Sequence, residues 1–251
     1  MSRHKFTPLD TVTHVWTTLG LPKHALQFMN LPIDAECGPS SFKVGHLAQA
    51  SIGLSALSAA LLSNRKGVGF PSVTVPSEHA YIEFKSERLY VLNGKAGPST
   101  FGTIGGLHRT RDGYIRMHDG FPNHRENGLR VLGLLPSATR DEVAREILRW
   151  HSVDLETEAI QNGAVMAALR SFDDWDALPQ SEAIPDFPVS VNKIAEGPTY
   201  LTKFDTPAQA AKCLHGIRVV EMSRVIAAPV AGKTLAAYGA VSDNLYQTND
   251  N

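Results

Sequence analysis

Residues 214–240 set the strictest limit on what this chain can fold into. Ile217 to Met222 is apolar and β-branched, and it reads as a buried strand. Small residues follow, with Pro229 suited to the first turn of a helix. Ala231, Leu235 and Tyr238 fall at i, i+4 and i+7, one face of that helix, and Gly239 stops it. A strand, a tight turn of small residues and a helix form the opening of a nucleotide-binding α/β unit, and such a strand requires parallel neighbours. Free N–H groups at the helix start can hold an anion or a phosphate, and Ala227 and Ala228 leave a ligand room to approach. The same spacing also serves a plain β–α turn, because it lacks a full glycine fingerprint. Arg224, just ahead of the turn, can face a phosphate or sit as a solvated surface charge.

The segments before this unit read as mostly helical. Val12, Val15, Trp16 and Leu19 share a face of a short helix that Gly20 ends, and Pro22, Pro32, Gly38 and Pro39 mark a loop. The strongest helix spans 41–64, with Leu47, Ala50, Ser51, Leu54, Leu57, Ser58 and Leu61 at helical spacing. Its many small residues suit tight packing on more than one side. Arg65 and Lys66 complement the negative end of its dipole, and Ser72–Val75 reads as a strand.

Residues 105–118 read as a hairpin turning at Asp112-Gly113. His118, His124 and Arg125 then fall in a short loop, with His108 on the facing strand; their spacing matches no ligand pattern, so no metal is expected. Thr139 and Glu142 form a capping box for a helix whose apolar face is Val143, Ile147 and Trp150. Ser152 suits the cap of the next, with Leu155, Ala159 and Ile160 inward and Gly163 as its stop. Ser171 opens a third, ended by Pro179, and Asp173, Asp174 and Asp176 belong to its favourable N-terminal end. The prolines of 181–213 read as a linker.

These readings imply a mixed α/β (α+β) chain. A mostly helical region, 1–180, holds the small hairpin; a linker, 181–213, follows; 214–240 opens an incomplete Rossmann-like domain; and 241–251, polar and non-periodic, reads as a disordered tail. A formal net charge of -1 speaks against a nucleic-acid binder relying on bulk charge. Cys37 and Cys213 make neither a metal pattern nor a disulfide framework, which suits a reducing, intracellular (cytoplasmic) setting. Neither a signal peptide nor an uninterrupted apolar span long enough for a membrane is read.

The run L-x-G-I-R-V-V-E-x-S-R-V-I-A-A-P-x-A-G-x-x-L-A-x-Y-G-A at 214–240 resembles the opening motif of the family III CoA-transferases, the CaiB/BaiF family that includes formyl-CoA transferase and α-methylacyl-CoA racemase. Residues 56–69, Ser72–Val75 and the helical run from Glu78 to Phe84 resemble the segments that follow that family's catalytic aspartate. The 105–118 hairpin and the acidic run before Leu178-Pro179-Gln180 are similar to parts of its smaller domain.

By position, the resemblance implies that Arg224, Val225, Ile226 and Ala227 lie against coenzyme A. It implies coenzyme A or acyl-CoA as substrate, a carboxylic acid as acceptor, and a homodimer or complementary chain as partner. The family's nucleophile is an aspartate in a Gly-Phe-Asp type segment. Asp119-Gly120-Phe121 has those residues in another order, so no catalytic residue is carried over. Three readings follow: a CoA-transferase family III-like enzyme, incomplete as a single chain; a truncated, non-catalytic relative that binds acyl-CoA or assembles with a partner; and a racemase-like isomerase, for which no paired base is placed.

Overall fold

A computed structural model describes residues 6–33, 38, 40–97, 102–197 and 212–244. The fold mixes helices with short strands. It divides into two compact units: 1–91 together with 191–251, and 92–190. The region expected as one body, 1–180, therefore contributes to both. The reason is physical: 92–190 closes a core of its own, while the strand–turn–helix segment belongs with the first ninety residues.

The first unit is built on helix α2 (Val44–Arg65). Helix α1 (Pro8–Thr18) precedes it, opened by a capping box in which Thr7 and Asp10 satisfy each other's backbone N–H groups. A 3-10 turn at Lys23–Phe28 leads into strand β1 (Met29–Asn30). Strand β1 pairs in parallel with β2 (Val73–Thr74) inside the stretch expected as a loop. Helix α3 (Ser77–Glu83) follows.

The core cluster joins Val12 and Trp16 of α1, Met29 of β1, Val73 of β2, and Ala48, Leu57 and Ala60 of α2. Leu47, expected on the apolar face of α2, is exposed, and Ala48, Gly53 and Ala60 are buried instead. The packed side of α2 is the small-residue side, where other backbones can come close. By length and composition α2 could cross a membrane, yet it is the packing centre of this unit. The buried Gln49 side chain donates two hydrogen bonds, to the Pro32 carbonyl at 2.7 Å and the Val75 carbonyl at 2.8 Å, tying the chain just past the carboxyl ends of both strands to the helix.

Helix α4 (Ser86–Leu89) and the hairpin of β3 (Val91–Leu92) and β4 (Lys95–Ala96) come next. The hairpin turns on Asn93-Gly94, both at positive φ.

The second unit carries an antiparallel sheet of β5 (Gly106–Arg109), β6 (Tyr114–Met117) and β7 (Met166–Ala168). His108, Ile115, Met117 and Met166 point to its buried face, while Leu107, Arg109, Tyr114 and Arg116 face solvent. Three helices supply that unit's core: α5 (Pro122–Val131), α6 (Arg140–Ile147) and α7 (Ser152–Gln161). Two short helices, α8 (Phe172–Asp176) and α9 (Pro179–Ala183), follow.

The expected Thr139–Glu142 capping box forms, and Ser171, expected to open a helix, does so through a capping box with Asp174. Three expectations give way. His124 and Arg125 lie in the first turn of α5 rather than in a loop, because Pro122 at the first helical position sets the helical φ. Ile160 is exposed, since Leu155 and Ala159 already fill the inner face of α7. Ser152 does not cap α7; its N–H is instead held by Asp112 from the hairpin turn, at 2.8 Å.

The last piece of the first unit is a βαβ unit. Strand β8 (Arg218–Glu221), helix α10 (Ala227–Ala237) and strand β9 (Val241–Asn244) follow one another, with β8 and β9 parallel and paired from Arg218↔Val241 to Glu221↔Asn244. Residues 241–244, read from sequence as the start of a disordered tail, are thus a strand, and β8 has the parallel neighbour that seemed missing. The ladder supplies the partners that an isolated polar segment lacks. The remainder of that tail, 245–251, lies outside the described residues, as do residues 198–211 of the expected linker.

Replacing Gln49 with Leu keeps the volume but removes both donors. Each buried carbonyl left without a partner costs about 1–3 kcal/mol, so Gln49→Leu is expected to lower unfolding free energy by at least that much in a urea titration. Asp112 gives a pH test. Hydrogen bonds from the Ser152 N–H, the Thr110 hydroxyl and His151 hold its carboxyl down, from 3.8 to about 2. A depressed acid stabilises the fold above its unfolded value and loses that contribution as pH falls through the folded one. Between roughly pH 4 and pH 2 the protein should lose stability, and Asp112→Asn should flatten that part of the curve when melting is followed against pH.

Candidate functional site

The carboxyl end of β8 and the start of α10 are joined by a turn whose backbone is held in an uncommon conformation. After Glu221 the chain passes Met222 and Ser223, whose hydroxyl donates to the Glu221 carboxylate. Val225 then sits at φ +73°, in the left-handed region. That conformation is costly for any residue with a side chain and most of all for a β-branched one. Ile226 follows at φ −128°, ψ −58°, and makes no side-chain hydrogen bond to cap the helix. The first N–H drawn into the helix is that of Val230, which donates to the Ile226 carbonyl at 2.9 Å. Pro229 has no N–H. Ala227 and Ala228 thus present their N–H groups at the positive end of an eleven-residue helix without a side-chain cap.

The turn is open. Val225 is 63% exposed, Ile226 48%, Met222 82% and Val220 68%, so apolar side chains surround the helix start. Strand β8 is therefore not the fully buried strand expected from its composition. A sheet of two strands leaves a face uncovered, and Val219 and Glu221 alternate inward while Arg218 and Val220 point out. Glu221 packs directly on Gly232 of α10, where a Cβ would overlap its carboxylate. The glycine therefore serves close strand–helix packing. The structure gathers Arg224, Val225, Ile226 and Ala227 on this one exposed turn, at the carboxyl ends of the parallel strands where α/β sheets bind ligands.

Behind the turn lies a cavity of about 650 Å³ that sequence reasoning missed. One wall is the Ser51, Ser55, Ser58 and Leu62 stripe of α2; the other is Ala227, Ala231 and Leu235 of α10. Cys213 and Leu214 close an end. Cys213 is buried, and desolvation pushes its thiol up, countered by the Lys66 charge and a hydrogen bond with Ser63. The i, i+4, i+7, i+11 spacing of that stripe was visible in the sequence, but nothing there said which helix would face it.

The candidate groups of the second unit are committed to structure. Asp119 accepts the N–H groups of Ile104 at 2.9 Å and Gly105 at 2.7 Å through one oxygen, and both Gly102 and Gly105 lie too close to it for a Cβ. His108 is hydrogen-bonded through Nε2 to the Ile104 carbonyl at 2.8 Å, and burial lowers its pKa. The Nδ1 atoms of His118 and His124 are 3.0 Å apart, with Phe121 stacked on His118 and edge-on to His124. Among the described residues, no group of three His, Cys, Asp or Glu side chains is arranged to hold a metal ion.

No protein-family model matches the chain, and no curated protein matches it by sequence. Solved structures do resemble it. The hypothetical protein Rv3272 from Mycobacterium tuberculosis aligns at 14% identity over 72% of this chain and 69% of that one, with a TM-score of 0.50. A substituted form of Rv3272 aligns at 16% identity over 79% of this chain and 57% of that one, with a TM-score of 0.49. An orthorhombic crystal form aligns at 16% identity over 70% and 50%, with a TM-score of 0.47. The chain thus spans 50% to 69% of the chains it is similar to, and the likeness concerns the fold.

The left-handed Val225 yields a direct test. Glycine adopts that conformation without the side-chain clash, so Val225→Gly is expected to stabilise the βαβ unit by about 1 kcal/mol, seen as slower amide exchange at Val219 and Glu221. Unchanged or faster exchange would show that the turn stores no strain.

Proposed function

We propose that this is a CoA-transferase family III-like protein that seats coenzyme A on the turn Arg224–Ala227. The observation that carries the reading is the conformation of that turn. A β-branched residue held at positive φ, at the carboxyl end of a parallel strand, brings uncapped helix N–H groups to the surface. Phosphate oxygens suit those N–H groups and the nearby Arg224 guanidinium. The exposed Met222, Val225 and Ile226 suit the apolar parts of the same ligand. The motif resemblance names coenzyme A among nucleotide-like ligands, and it brings with it transfer of CoA between an acyl-CoA and a carboxylic acid. A second copy or a complementary chain would share the reaction, and CoA chemistry suits a protein inside the cell, in the cytoplasm.

Binding without transfer is the second reading. It is supported by the sequence, in which the family's Gly-Phe-Asp type segment is not found, so that no nucleophilic aspartate is assigned. An acyl-transfer assay on the purified chain separates the two, since turnover would dismiss mere binding.

Ala227→Glu tests the site itself. A carboxylate in the first turn favours the helix but repels a phosphate. Calorimetric titration should show CoA binding to the parent chain and at least tenfold weaker binding to Ala227→Glu, with thermal stability retained. Equal affinities would remove the turn from the ligand site.

A further inference from the structure

The sheet of the second unit packs its helices on one face only, where Ile115, Met117 and Met166 point into the core. The register sets out two rows on the other face. Leu107, Arg116 and Ala167 form the first; Arg109, Tyr114 and Leu169 form the second, with the Leu169 N–H bonded to the Tyr114 carbonyl at 2.9 Å. Leu107 is 49% exposed, Tyr114 45% and Leu169 61%. Two guanidiniums thus stand among apolar side chains in a block that holds no carboxylate. Arg111, exposed at the hairpin turn, adds a third. Among the described residues, none of these three guanidiniums makes an ion pair or a hydrogen bond. Unpaired cations on an apolar sheet face suit an acidic segment that carries large apolar side chains.

The same unit carries such a segment. Helix α8, Phe172–Asp176, begins three residues after Leu169. Phe172 is 78% exposed and Trp175 38%. Asp174 is committed to the capping box with Ser171, but the carboxylates of Asp173 and Asp176 have no partner among the described residues. Helix α8 does not cover the face of its own chain, because its rings and that face are exposed together. One surface offers guanidiniums beside aliphatic carbon, and the other offers carboxylates beside aromatic rings. A guanidinium suits both groups, since it takes a carboxylate in its plane and stacks on a ring.

We infer that a second copy of this chain docks on the outer sheet face of the second unit, with α8 of each copy lying on the face of the other. Face and helix adjoin in one unit, so a two-fold axis makes both contacts at once and the assembly closes as a dimer. The inference is independent of the coenzyme A reading, because no residue of the turn at 224–227 takes part in it.

Sedimentation velocity on the full chain tests it. A dimer is expected at micromolar concentration in low salt, shifting toward monomer as added salt screens the exposed charges. Arg109→Glu with Arg116→Glu should weaken self-association by at least about tenfold, and so should Asp173→Lys with Asp176→Lys, because each places like charges across both contacts. Mixed in equal amounts, the two variants should associate again. In that heterodimer one contact keeps the parent charges and the other carries them reversed, so both attract.

A parent chain that stays monomeric throughout the micromolar range, as when the face takes an acidic segment of another protein, overturns the inference. A dimer that either variant retains, or that salt leaves unchanged, overturns it as well. So do two variants that melt like the parent yet fail to associate when mixed.

Discussion

Helix α2 must pack on one side and leave another side thin, and the first unit is arranged around that requirement. At Gly53 a Cβ would lie 3.3 Å from the Leu31 side chain and 3.6 Å from the Met29 sulfur, so these two side chains pack directly on the helix backbone. Gln49, one turn earlier, fixes the loops around that strand by donating to the Pro32 and Val75 carbonyls. Leu57 and Ala60 then close the core against Val12 and Trp16. Because glycine and alanine do the packing, α2 does not need a wide stripe of large apolar residues. The stripe of Ser51, Ser55 and Ser58 is left with small side chains and becomes a cavity wall. Large residues there would fill the space that α10 bounds.

The second unit solves a different problem, how to fix a three-stranded sheet against helices that arrive from distant sequence. Asp112 sits in the β5–β6 turn and accepts from Thr110 within the turn and from the Ser152 N–H at the start of α7. One carboxylate thus joins a local turn to a helix forty residues away. The other end of α7 is held by α5, where Asn127 donates to the Gly163 carbonyl and Arg130 to that of Asn162. Glu156 of α7 pairs with Arg170 and accepts from the Ala168 N–H, fixing β7, the strand with least sequence signal of its own. Both carboxylates are lowered by the hydrogen bonds they accept, so the unit's helix–sheet joints depend on ionised acids.

What was legible in the sequence was whatever is encoded locally. The capping box at Thr139, the helix start at Ser171, the Asp112-Gly113 turn and the long small-residue helix all depend on residues within a few positions of each other. Features that depend on distant partners were not legible. Met29–Asn30 and Met166–Ala168 are strands because a neighbour completes them, and runs of two or three residues carry no readable period. Val241–Asn244 looked like a tail since Ser, Asp and Asn disfavour strands, yet β8 lies alongside it in parallel. The exposure of Val220 and Met222 was hidden for the opposite reason. Their composition is that of a strand within a wider sheet, and two strands cannot cover both faces. At the candidate site the turn could be placed from the motif, whereas the cavity could not, because its walls are α2 and α10 and the spacing of neither names the other.

The left-handed conformation at Val225 sits where strand β8 gives way to helix α10. A plain β–α connection has no need for a β-branched residue in the left-handed region, and glycine would serve it at lower cost. Keeping valine there gives up local stability while placing an apolar side chain beside uncapped N–H groups. That combination suits a ligand that is anionic at one point and apolar at the next. Helix α10 repeats the division along its length: its start offers hydrogen-bond donors, while Ala231 and Leu235 offer carbon to the cavity. Gly232 makes this possible by letting the Glu221 carboxylate lie flat against the opposite side, so the helix is held to its strand without spending the cavity-facing residues on packing. Strand contact and cavity lining are thereby assigned to different sides of a single eleven-residue helix, whose start is left without a side-chain cap.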